Sequence, residues 1–107
     1  MIKLMAFFAR KPGLSREEFL KYWSEVHGPL AVPYFPAIRK YVQNHLPPDV
    51  ELGFDGIAEL WYDDMEGLQS SLEIRQSEVG KIIIDDEERF MDTGKMVFFV
   101  VEEKVIK

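Results

Sequence analysis

The hydrophobic residues follow two spacings along the chain, and each spacing predicts a different type of element. Residues Ile2–Ala9 and Met96–Glu102 form nearly continuous apolar runs of strand length. Two further strands are predicted at Ile38–His45, where apolar and polar residues alternate, and at Phe54–Tyr62, which is rich in aromatic and apolar residues. The mixed character of Ile38–His45 is typical of a strand at the edge of a sheet.

The first helix has signals at both of its ends. Ser15 and Glu18 have the spacing of a capping box, so we expect the helix to begin directly after Ser15. Gly28 can adopt the left-handed conformation that ends many helices, and Pro29 prevents the helix from continuing. We therefore predict that the last residue of this helix is His27.

Two shorter helices are predicted in the second half of the chain. The first follows a capping residue, Asp63 or Asp64, and the second follows Ser77. Their apolar faces are formed by Met65, Leu68 and Leu72 in the first helix and by Val79, Ile82, Ile83 and Phe90 in the second. The element order is then β-α-β-β-α-β with the second α split in two. This order predicts a ferredoxin-like α+β fold, with an antiparallel sheet, in a single domain over residues 1–107.

The first and last strands are apolar on both of their faces, which a sheet with helices on one side does not require. The second face of such a sheet needs a cover, and the chain has no spare element to supply one. We therefore expect a homodimer in which two sheets pack face to face. The alternative is a monomer with an exposed apolar face.

Composition and charge narrow the classes of function. The 107 residues include 13 Lys or Arg against 19 Asp or Glu, which gives a formal net charge of −6, and there is no cysteine. The lack of cysteine excludes disulfides, Cys-ligated zinc, iron–sulfur clusters and a cysteine nucleophile. The acidic balance argues against nucleic acid as a partner. No apolar run approaches the ~20 residues of a membrane span, and no signal peptide is recognisable, so we expect a cytoplasmic protein without a membrane partner.

His27 is the first candidate for chemistry. It lies on the edge of the apolar face of the first helix, about 40° around the axis from Trp23. One interpretation is structural, with the imidazole bonding the last carbonyls of the helix. The other is a general acid or base at the rim of a buried pocket, since only histidine titrates near neutrality without perturbation.

Asp86 is the second candidate, because it stands in the apolar stripe of the third predicted helix. A carboxylate on an apolar face needs a partner. One interpretation is a helix break, with Asp85 or Asp86 capping a new segment through Arg89. The other is a buried acid that pairs with His27 or with a tyrosine and orients it.

Aromatic residues and a second histidine extend the list of candidates. His45 shares a strand face with Tyr41; it is a pocket residue if that face lines a dimer interior and an ordinary edge residue if the face meets solvent. Aromatic side chains such as these are more often core than binding site, although together they suit a flat apolar ligand. The candidates of this type are Tyr22, Trp23, Trp61 and Phe90.

Signatures of cofactor chemistry are missing from the sequence. It contains no Gly-rich phosphate loop, no Gly-x-Ser-x-Gly elbow and no His-Glu-x-x-His motif. Two histidines alone make a transition-metal site improbable. We therefore expect a protein that uses neither a cofactor nor a metal.

Four segments of the chain, in this order, resemble the EthD family of the dimeric α+β barrel superfamily. They are Glu18–Leu30, which contains His-Gly-Pro, then Arg39–Asn44, Phe54–Tyr62 and Asp86–Phe90, which carries an Asp-Glu-x-x-Phe pattern. The resemblance covers nearly the full length. It implies a homodimer whose sheets form a barrel, with a pocket between sheet and helices in each subunit.

The resemblance also implies a class of chemistry. Similar proteins include isomerases, cyclases, decarboxylases and cofactor-free monooxygenases that act on small, apolar, oxygen-bearing or aromatic molecules in degradative or biosynthetic pathways. On this hypothesis His27 moves a proton with Asp86 as support, and Asn44 or Tyr41 orients an enolate. The alternative is a non-catalytic ligand-binding or accessory protein of ether degradation or a similar catabolic pathway.

Overall fold

Four strands form one antiparallel sheet in a computed structural model that describes all 107 residues. The bounds are Ile2–Phe8 (β1), Lys40–His45 (β2), Gly56–Tyr62 (β3) and Val97–Val101 (β4). The strand order is β2-β3-β1-β4, and every neighbouring pair is antiparallel. The four predicted strands and the edge position of the second are therefore confirmed, with bounds shorter than predicted by one or two residues at the ends that differ.

The helices form a single layer on one face of this sheet. They are Arg16–Tyr22 (α1), a π-helical turn at Trp23–His27, Gly28–Ala31 (α2), Met65–Gln76 (α3) and Glu78–Phe90 (α4), with short 3₁₀ turns at Val32–Tyr34 and Thr93–Lys95. The β-α-β-β-α-β order with a split second α is confirmed, and the fold is ferredoxin-like. None of the helices has both the length and the apolar character needed to cross a membrane.

The start of α1 is the predicted capping box. The Glu18 backbone N–H donates to Ser15 Oγ at 3.1 Å, and the Ser15 backbone N–H donates to Glu18 Oε1 at 3.0 Å. Two of the N–H groups that a helix leaves unpaired at its start are satisfied in this way. A cap of this kind stabilises a helix by about 1 kcal/mol.

The predicted end of the first helix is wrong. Gly28 has right-handed helical dihedrals, with φ −56° and ψ −54°, and the chain continues as α2 through Pro29 to Ala31. The physical reason is the π-helical turn, in which the Gly28 N–H donates to the Trp23 carbonyl five residues back. Pro29 then stands in the first turn of α2, where its missing N–H is tolerated.

The buried face of α4 is rotated from the predicted one. Ile83, Asp86 and Phe90 are buried as expected, but Val79 and Ile82 are exposed in this chain. The rotation follows from Gly80, because a Cβ there would overlap the carbonyl of Arg75 at the end of α3. Close backbone contact at Gly80 turns the stripe of residues 80, 83, 87 and 90 towards the sheet.

The core lies between the sheet and the helices. Its buried members are Ala6, Phe8, Phe19, Trp23, Ala58, Phe90 and Met91. The Trp23 ring lies directly against Gly56 of β3, where an added Cβ would come within 2.5 Å of the ring. The absence of a side chain at Gly56 therefore lets the indole approach the strand.

The other face of the sheet carries apolar side chains that no element of the chain covers. Phe7 stacks on Phe54 with ring centroids 4.7 Å apart and meets the edge of Phe99 at 5.4 Å. Val97 of β4 is 48% exposed and Phe99 is 37% exposed. An uncovered cluster of this kind is typical of a surface that packs against another chain.

Candidate functional site

His27 and Asp86 meet in the helical layer, although 59 residues separate them. His27 ends the π-helical turn, and its Nδ1 lies 2.8 Å from Asp86 Oδ2 on α4. The other oxygen, Oδ1, accepts a hydrogen bond of 2.6 Å from the hydroxyl of Tyr22. His27 and Asp86 are each about 95% buried, since 5% and 4% of their surfaces are exposed.

These contacts decide between the structural alternatives for both residues. The imidazole of His27 bonds Asp86 rather than the end of its own helix, and α4 runs without a break through Asp86. The interpretations as a helix cap and as a helix break are therefore wrong. The predicted pairing of Asp86 with His27 or a tyrosine is present with both partners at once.

The hydrogen-bond pattern places the proton of His27. An ionised carboxylate only accepts hydrogen bonds, and Asp86 accepts one on each oxygen. With Asp86 ionised, Nδ1 of His27 is the donor in this contact, and in a neutral imidazole the lone pair then lies on Nε2. Burial, followed by the hydrogen bond to Asp86, raises the pKa of Tyr22, which keeps its phenol protonated as the donor.

A second carboxylate stands on the other side of the imidazole. Glu87 Oε2 is 4.0 Å from His27 Nε2, beyond hydrogen-bonding distance. Both oxygens of Glu87 accept from the guanidinium of Arg75, at 2.8 and 2.6 Å. This pair was not predicted from the sequence, although Glu87 follows Ile83 by one helical turn and so belongs to the same buried stripe.

A cavity of about 230 Å³ lies between the sheet and the helices, beside His27. Fifteen of its 19 lining residues are hydrophobic, so its interior favours an apolar ligand. The four polar lining residues are His27, Ser71, Arg75 and Glu87. Arg75 and Glu87 neutralise each other, which leaves no unpaired charge from this pair in the cavity wall.

Two buried polar side-chain atoms have no hydrogen-bond partner, and both belong to residues that line this cavity. They are Trp23 Nε1 and Ser71 Oγ. Leaving such a group unpaired costs about 1–3 kcal/mol. Two unpaired groups at one cavity therefore mark it as a place where a polar ligand atom would be stabilised.

Each of these atoms stands near a tyrosine, which is the partly buried Tyr41 for Trp23 and the buried Tyr62 for Ser71. Burial raises the pKa of Tyr41, and the nearby donors Gln43 Nε2 and the Trp23 indole limit the rise. Burial also raises the pKa of Tyr62, and the Ser71 hydroxyl limits that rise. By distance and angle, neither Trp23 Nε1 nor Ser71 Oγ completes a hydrogen bond to its neighbouring tyrosine.

Of the aromatic candidates, Trp23 and Tyr41 line the cavity together with His27. Phe90 is 1% exposed and does not line it. The Phe90 ring instead packs against His27 and Tyr22, with centroid separations of 5.1 and 4.8 Å. Phe90 and Tyr22 therefore contact the imidazole and the Asp86 carboxylate without lining the cavity.

His45 fits neither of its two predicted settings. Its strand face, shared with Tyr41, points towards the helices rather than into a dimer interior. His45 is exposed at the rim of that layer, where its ring stacks on Trp23 at 5.4 Å and Nε2 contacts Gln43 Oε1 at 3.0 Å. It does not line the cavity.

Asn44 and Trp61 lie on the opposite face of the sheet from His27. The Asn44 amide donates to Glu59 Oε1 at 2.8 Å and to the Ile57 carbonyl at 3.1 Å. Trp61 lies under the ammonium groups of Lys3 and Lys40. The expectation that Asn44 orients an enolate beside His27 is therefore wrong, because strand alternation turns its side chain away from the cavity.

A third buried carboxylate, Asp55, was missed by the sequence analysis. Its oxygens accept from the Arg10 backbone N–H at 2.7 Å, from Arg10 Nη1 at 2.6 Å and from Arg16 Nε at 2.9 Å. Burial raises the pKa of Asp55, but the Arg16 and Arg10 interactions outweigh it and hold the pKa below its ordinary value. No group of three or more His, Cys, Asp or Glu side chains converges as metal ligands would.

Comparison with known proteins identifies the family. The EthD domain matches residues 11–94, which include the π-helical turn and α4. The chain belongs to the EthD family. A comparison with curated protein sequences found no significant match.

Solved structures share the fold of this EthD protein over nearly its whole length. An EthD family protein from Bacillus halodurans has a TM-score of 0.70 at 25% identity, covering 97% of this chain and 99% of its own. A dimeric ferredoxin-like protein of unknown function from Bacteroides fragilis has a TM-score of 0.67 at 12% identity, covering 95% of each chain. SnoaB from Streptomyces nogalater, a cofactor-independent oxygenase, has a TM-score of 0.64 at 8% identity, covering 97% of this chain and 93% of its own.

Proposed function

We propose that this EthD protein is a cofactor-independent enzyme that moves a proton on a small, apolar, oxygen-bearing molecule. The observation that carries the proposal is the buried hydrogen bond between His27 and Asp86, with His27 forming part of the cavity wall. A carboxylate that holds the proton on one imidazole nitrogen makes the other nitrogen a base. The mainly apolar cavity supplies a matching site for the substrate.

The chemistry begins with a C–H bond next to a carbonyl group. Nε2 of His27 takes this proton, and the electron pair of the C–H bond moves into the carbonyl to form an enolate. The imidazolium is then stabilised by Asp86 on Nδ1, while Glu87 lies 4.0 Å from Nε2. Return of the proton to another carbon of a conjugated enolate gives an isomerisation. Attack of the enolate carbon on a second carbonyl carbon of the same molecule gives a cyclisation, in which a C–C bond forms, the π pair of that carbonyl moves onto its oxygen, and the imidazolium returns its proton to this oxygen.

The comparisons support this class of reaction by analogy. SnoaB shares the fold and is a cofactor-independent oxygenase, so the fold accommodates chemistry without a bound cofactor. Fold similarity at 8% identity does not transfer a substrate. The proposal for this chain therefore rests on its own imidazole, carboxylate and cavity.

Hydrogen–deuterium exchange tests the proposed proton transfer. A set of one- and two-ring cyclic ketones and lactones is incubated with the protein in D₂O, and exchange at the carbon next to the carbonyl is followed by NMR. We expect the protein to accelerate exchange, and His27→Gln to remove at least about 100-fold of that acceleration. His45→Gln is the matched control, because His45 does not line the cavity.

The same experiment separates catalysis from simple binding. Equal exchange rates in the protein and in His27→Gln would reject His27 as the base. Ligand binding without accelerated exchange would support the alternative, a non-catalytic ligand-binding or accessory protein. In that case the affinity should also be insensitive to His27→Gln.

We also propose that a second copy of the chain covers the open face of the sheet. Support comes from the exposed apolar cluster around Phe7 and Phe99, and from the Bacteroides fragilis neighbour, which is dimeric. Sedimentation should give twice the chain mass of 12.5 kDa. Phe99→Glu should shift the protein to monomers, whereas Ile82→Glu, on an exposed position of α4, should not. A monomeric parent protein would contradict the proposal.

A further inference from the structure

We infer that the cavity recognises an uncharged molecule of one or two rings that carries two separate oxygen atoms, one held by Trp23 Nε1 and the other by Ser71 Oγ. This inference names the substrate class of the proposed function and rests on it. It depends on the two unpartnered polar atoms, on their tyrosine neighbours, and on the size and charge of the cavity.

The two unpartnered atoms carry most of the inference. Trp23 is 0% exposed and Ser71 is 5% exposed, and both residues line the cavity. Trp23 Nε1 can only donate a hydrogen bond, while the Ser71 hydroxyl can donate or accept. A ligand oxygen is an acceptor for the first and can serve as donor or acceptor for the second. The cavity thus requires at least one ligand oxygen that accepts a hydrogen bond.

A neighbouring tyrosine adds a second polar group beside each of the two unpartnered atoms. Tyr41 already accepts a hydrogen bond of 2.9 Å from Gln43 Nε2, so its own hydroxyl hydrogen remains free to donate beside the Trp23 indole. Two neighbouring donors, one N–H and one O–H, form a site suited to a carbonyl oxygen that becomes an enolate oxygen. The hydroxyl of Tyr62 lies near that of Ser71.

Trp23 and Ser71 lie on different helical segments, so we assign their hydrogen bonds to two separate ligand oxygens. Trp23 comes from the π-helical turn, four residues before His27, whereas Ser71 comes from the middle of α3. Trp23 lies in the same π-helical turn as His27, the proposed base. We therefore assign the hydrogen bond from Trp23 Nε1 to the carbonyl oxygen whose neighbouring C–H bond reacts. The Ser71 hydroxyl then binds an oxygen on another part of the ligand.

Size and charge limit the rest of the molecule. An apolar cavity of ~150 Å³ binds one benzene ring, and this cavity measures about 230 Å³. It therefore has room for one substituted ring or two fused rings. Its guanidinium, from Arg75, is already bound through two hydrogen bonds to Glu87, so no free cation is present to pair with a carboxylate or phosphate on the ligand.

Four probes with one bicyclic skeleton test the inference by calorimetric titration. Tetralin carries no oxygen, 1-tetralone carries a carbonyl, 6-hydroxy-1-tetralone adds a hydroxyl on the other ring, and 6-carboxy-1-tetralone adds a negative charge instead. We expect the affinity to rise by about two- to tenfold with each neutral oxygen. The carboxylate should bind more weakly than 6-hydroxy-1-tetralone.

Two variants assign the oxygens to their donors. Trp23→Phe keeps most of the ring but removes the N–H, and Ser71→Ala removes the hydroxyl. Each should lower the affinity for 6-hydroxy-1-tetralone by about two- to tenfold and leave that for tetralin unchanged. Trp61→Phe and Ser70→Ala are the controls, since neither residue lines the cavity.

Several results would overturn the inference. Equal affinities for tetralin and 6-hydroxy-1-tetralone would mean that water satisfies both polar atoms as well as a ligand does. Tighter binding of the carboxylate would contradict an uncharged ligand. The comparison among probes uses the parent protein alone, so it stands even if a variant fails to fold. Because it measures binding, its result is independent of whether His27 catalyses exchange.

Discussion

Asp55 and Asp86 are buried to nearly the same degree, with 3% and 4% of their surfaces exposed. Their partners differ in whether they can change protonation. Asp55 is held by two guanidinium groups and a backbone N–H. Asp86 is held by an imidazole and a phenol, both of which can change their protonation, and Arg89 is 3.8 Å away and largely exposed. The two sites use the same side chain under different electrostatic conditions.

The difference indicates what each carboxylate can do. Arginine stays charged at every accessible pH, so its interaction with Asp55 is permanent and joins β1, the start of α1 and the loop before β3. Histidine changes charge near neutrality, so Asp86 can stabilise a positive charge that forms during a reaction. We therefore assign Asp55 to stability and Asp86 to the proposed chemistry. Four predictions test this division.

The largest expected effect is on the stability of the Asp55→Asn variant. The substitution leaves the largely buried Arg16 and the partly exposed Arg10 facing a neutral amide, and removing one partner of a buried ion pair costs about 3–5 kcal/mol. Urea denaturation should show this loss in the free energy of unfolding. Asp49→Asn, at an exposed position, is the control. A loss below about 1 kcal/mol would contradict a structural role for Asp55.

The next effect is on the activity of the Asp86→Asn variant. An amide can still contact Nδ1 of His27, but it cannot stabilise the imidazolium as a carboxylate does. We expect proton exchange to slow by about 100-fold, with a stability loss smaller than that of Asp55→Asn. Asp85→Asn is the matched control, since Asp85 is the exposed neighbour on the same helix. Full activity in Asp86→Asn would remove Asp86 from the proposed mechanism.

A smaller effect concerns stability in acid. The pKa of Asp55 lies below its ordinary value of 3.8, so its stabilising contribution is complete above that value and is lost as the pH falls through the lowered pKa. The free energy of unfolding of Asp55→Asn should therefore fall less steeply below about pH 4 than that of the parent protein. Some slope should remain, because hydrogen bonds from Lys3 and Asn44 also lower the pKa of Glu59. Identical acid profiles would contradict the assignment.

The smallest effect is expected from Tyr22→Phe. This variant removes one donor to Asp86 but keeps the ring against Phe90. We expect a stability loss of about 1 kcal/mol, measured by urea denaturation, and a change in exchange rate of only a few fold. Tyr34→Phe provides the comparison, since the Tyr34 hydroxyl makes no side-chain hydrogen bond. A loss of exchange as large as that in Asp86→Asn would give Tyr22 a role of its own in the chemistry.

Local sequence signals predicted most of the fold because they depend on neighbouring residues. The capping box at Ser15, the four predicted strands and the edge position of Lys40–His45 are all confirmed. The end of the first helix was predicted wrongly, since Gly28-Pro29 normally stops an α-helix and the π-helical turn changes the hydrogen bonding before it. The rotation of α4 depends on the contact between Gly80 and Arg75, which no periodicity reveals.

The site was only partly predictable, because it forms from distant segments. The pairing of Asp86 with His27 could be anticipated from a carboxylate in an apolar stripe and a histidine at the edge of another. Alternation along β2 separates Tyr41 from Asn44, but it does not say which face the helices cover, so Asn44 was placed on the wrong side. Asp55 gave no signal, since both of its arginine partners lie about 40 residues earlier.

The π-helical turn divides the first helical region into two parts, α1 and α2. Because of this turn, the residues that face the core in α2 are not fixed by those that face it in α1. Each residue advances an α-helix by about 100°, and the five-residue bond from Gly28 to Trp23 inserts one residue more than an α-helical turn holds. Loss of a single residue between Trp23 and His27 would leave Phe19 anchored in the core while turning His27 away from Asp86. Insertion or deletion of one residue at this turn therefore forms or removes the His27–Asp86 contact, while the sheet and α1 keep their positions.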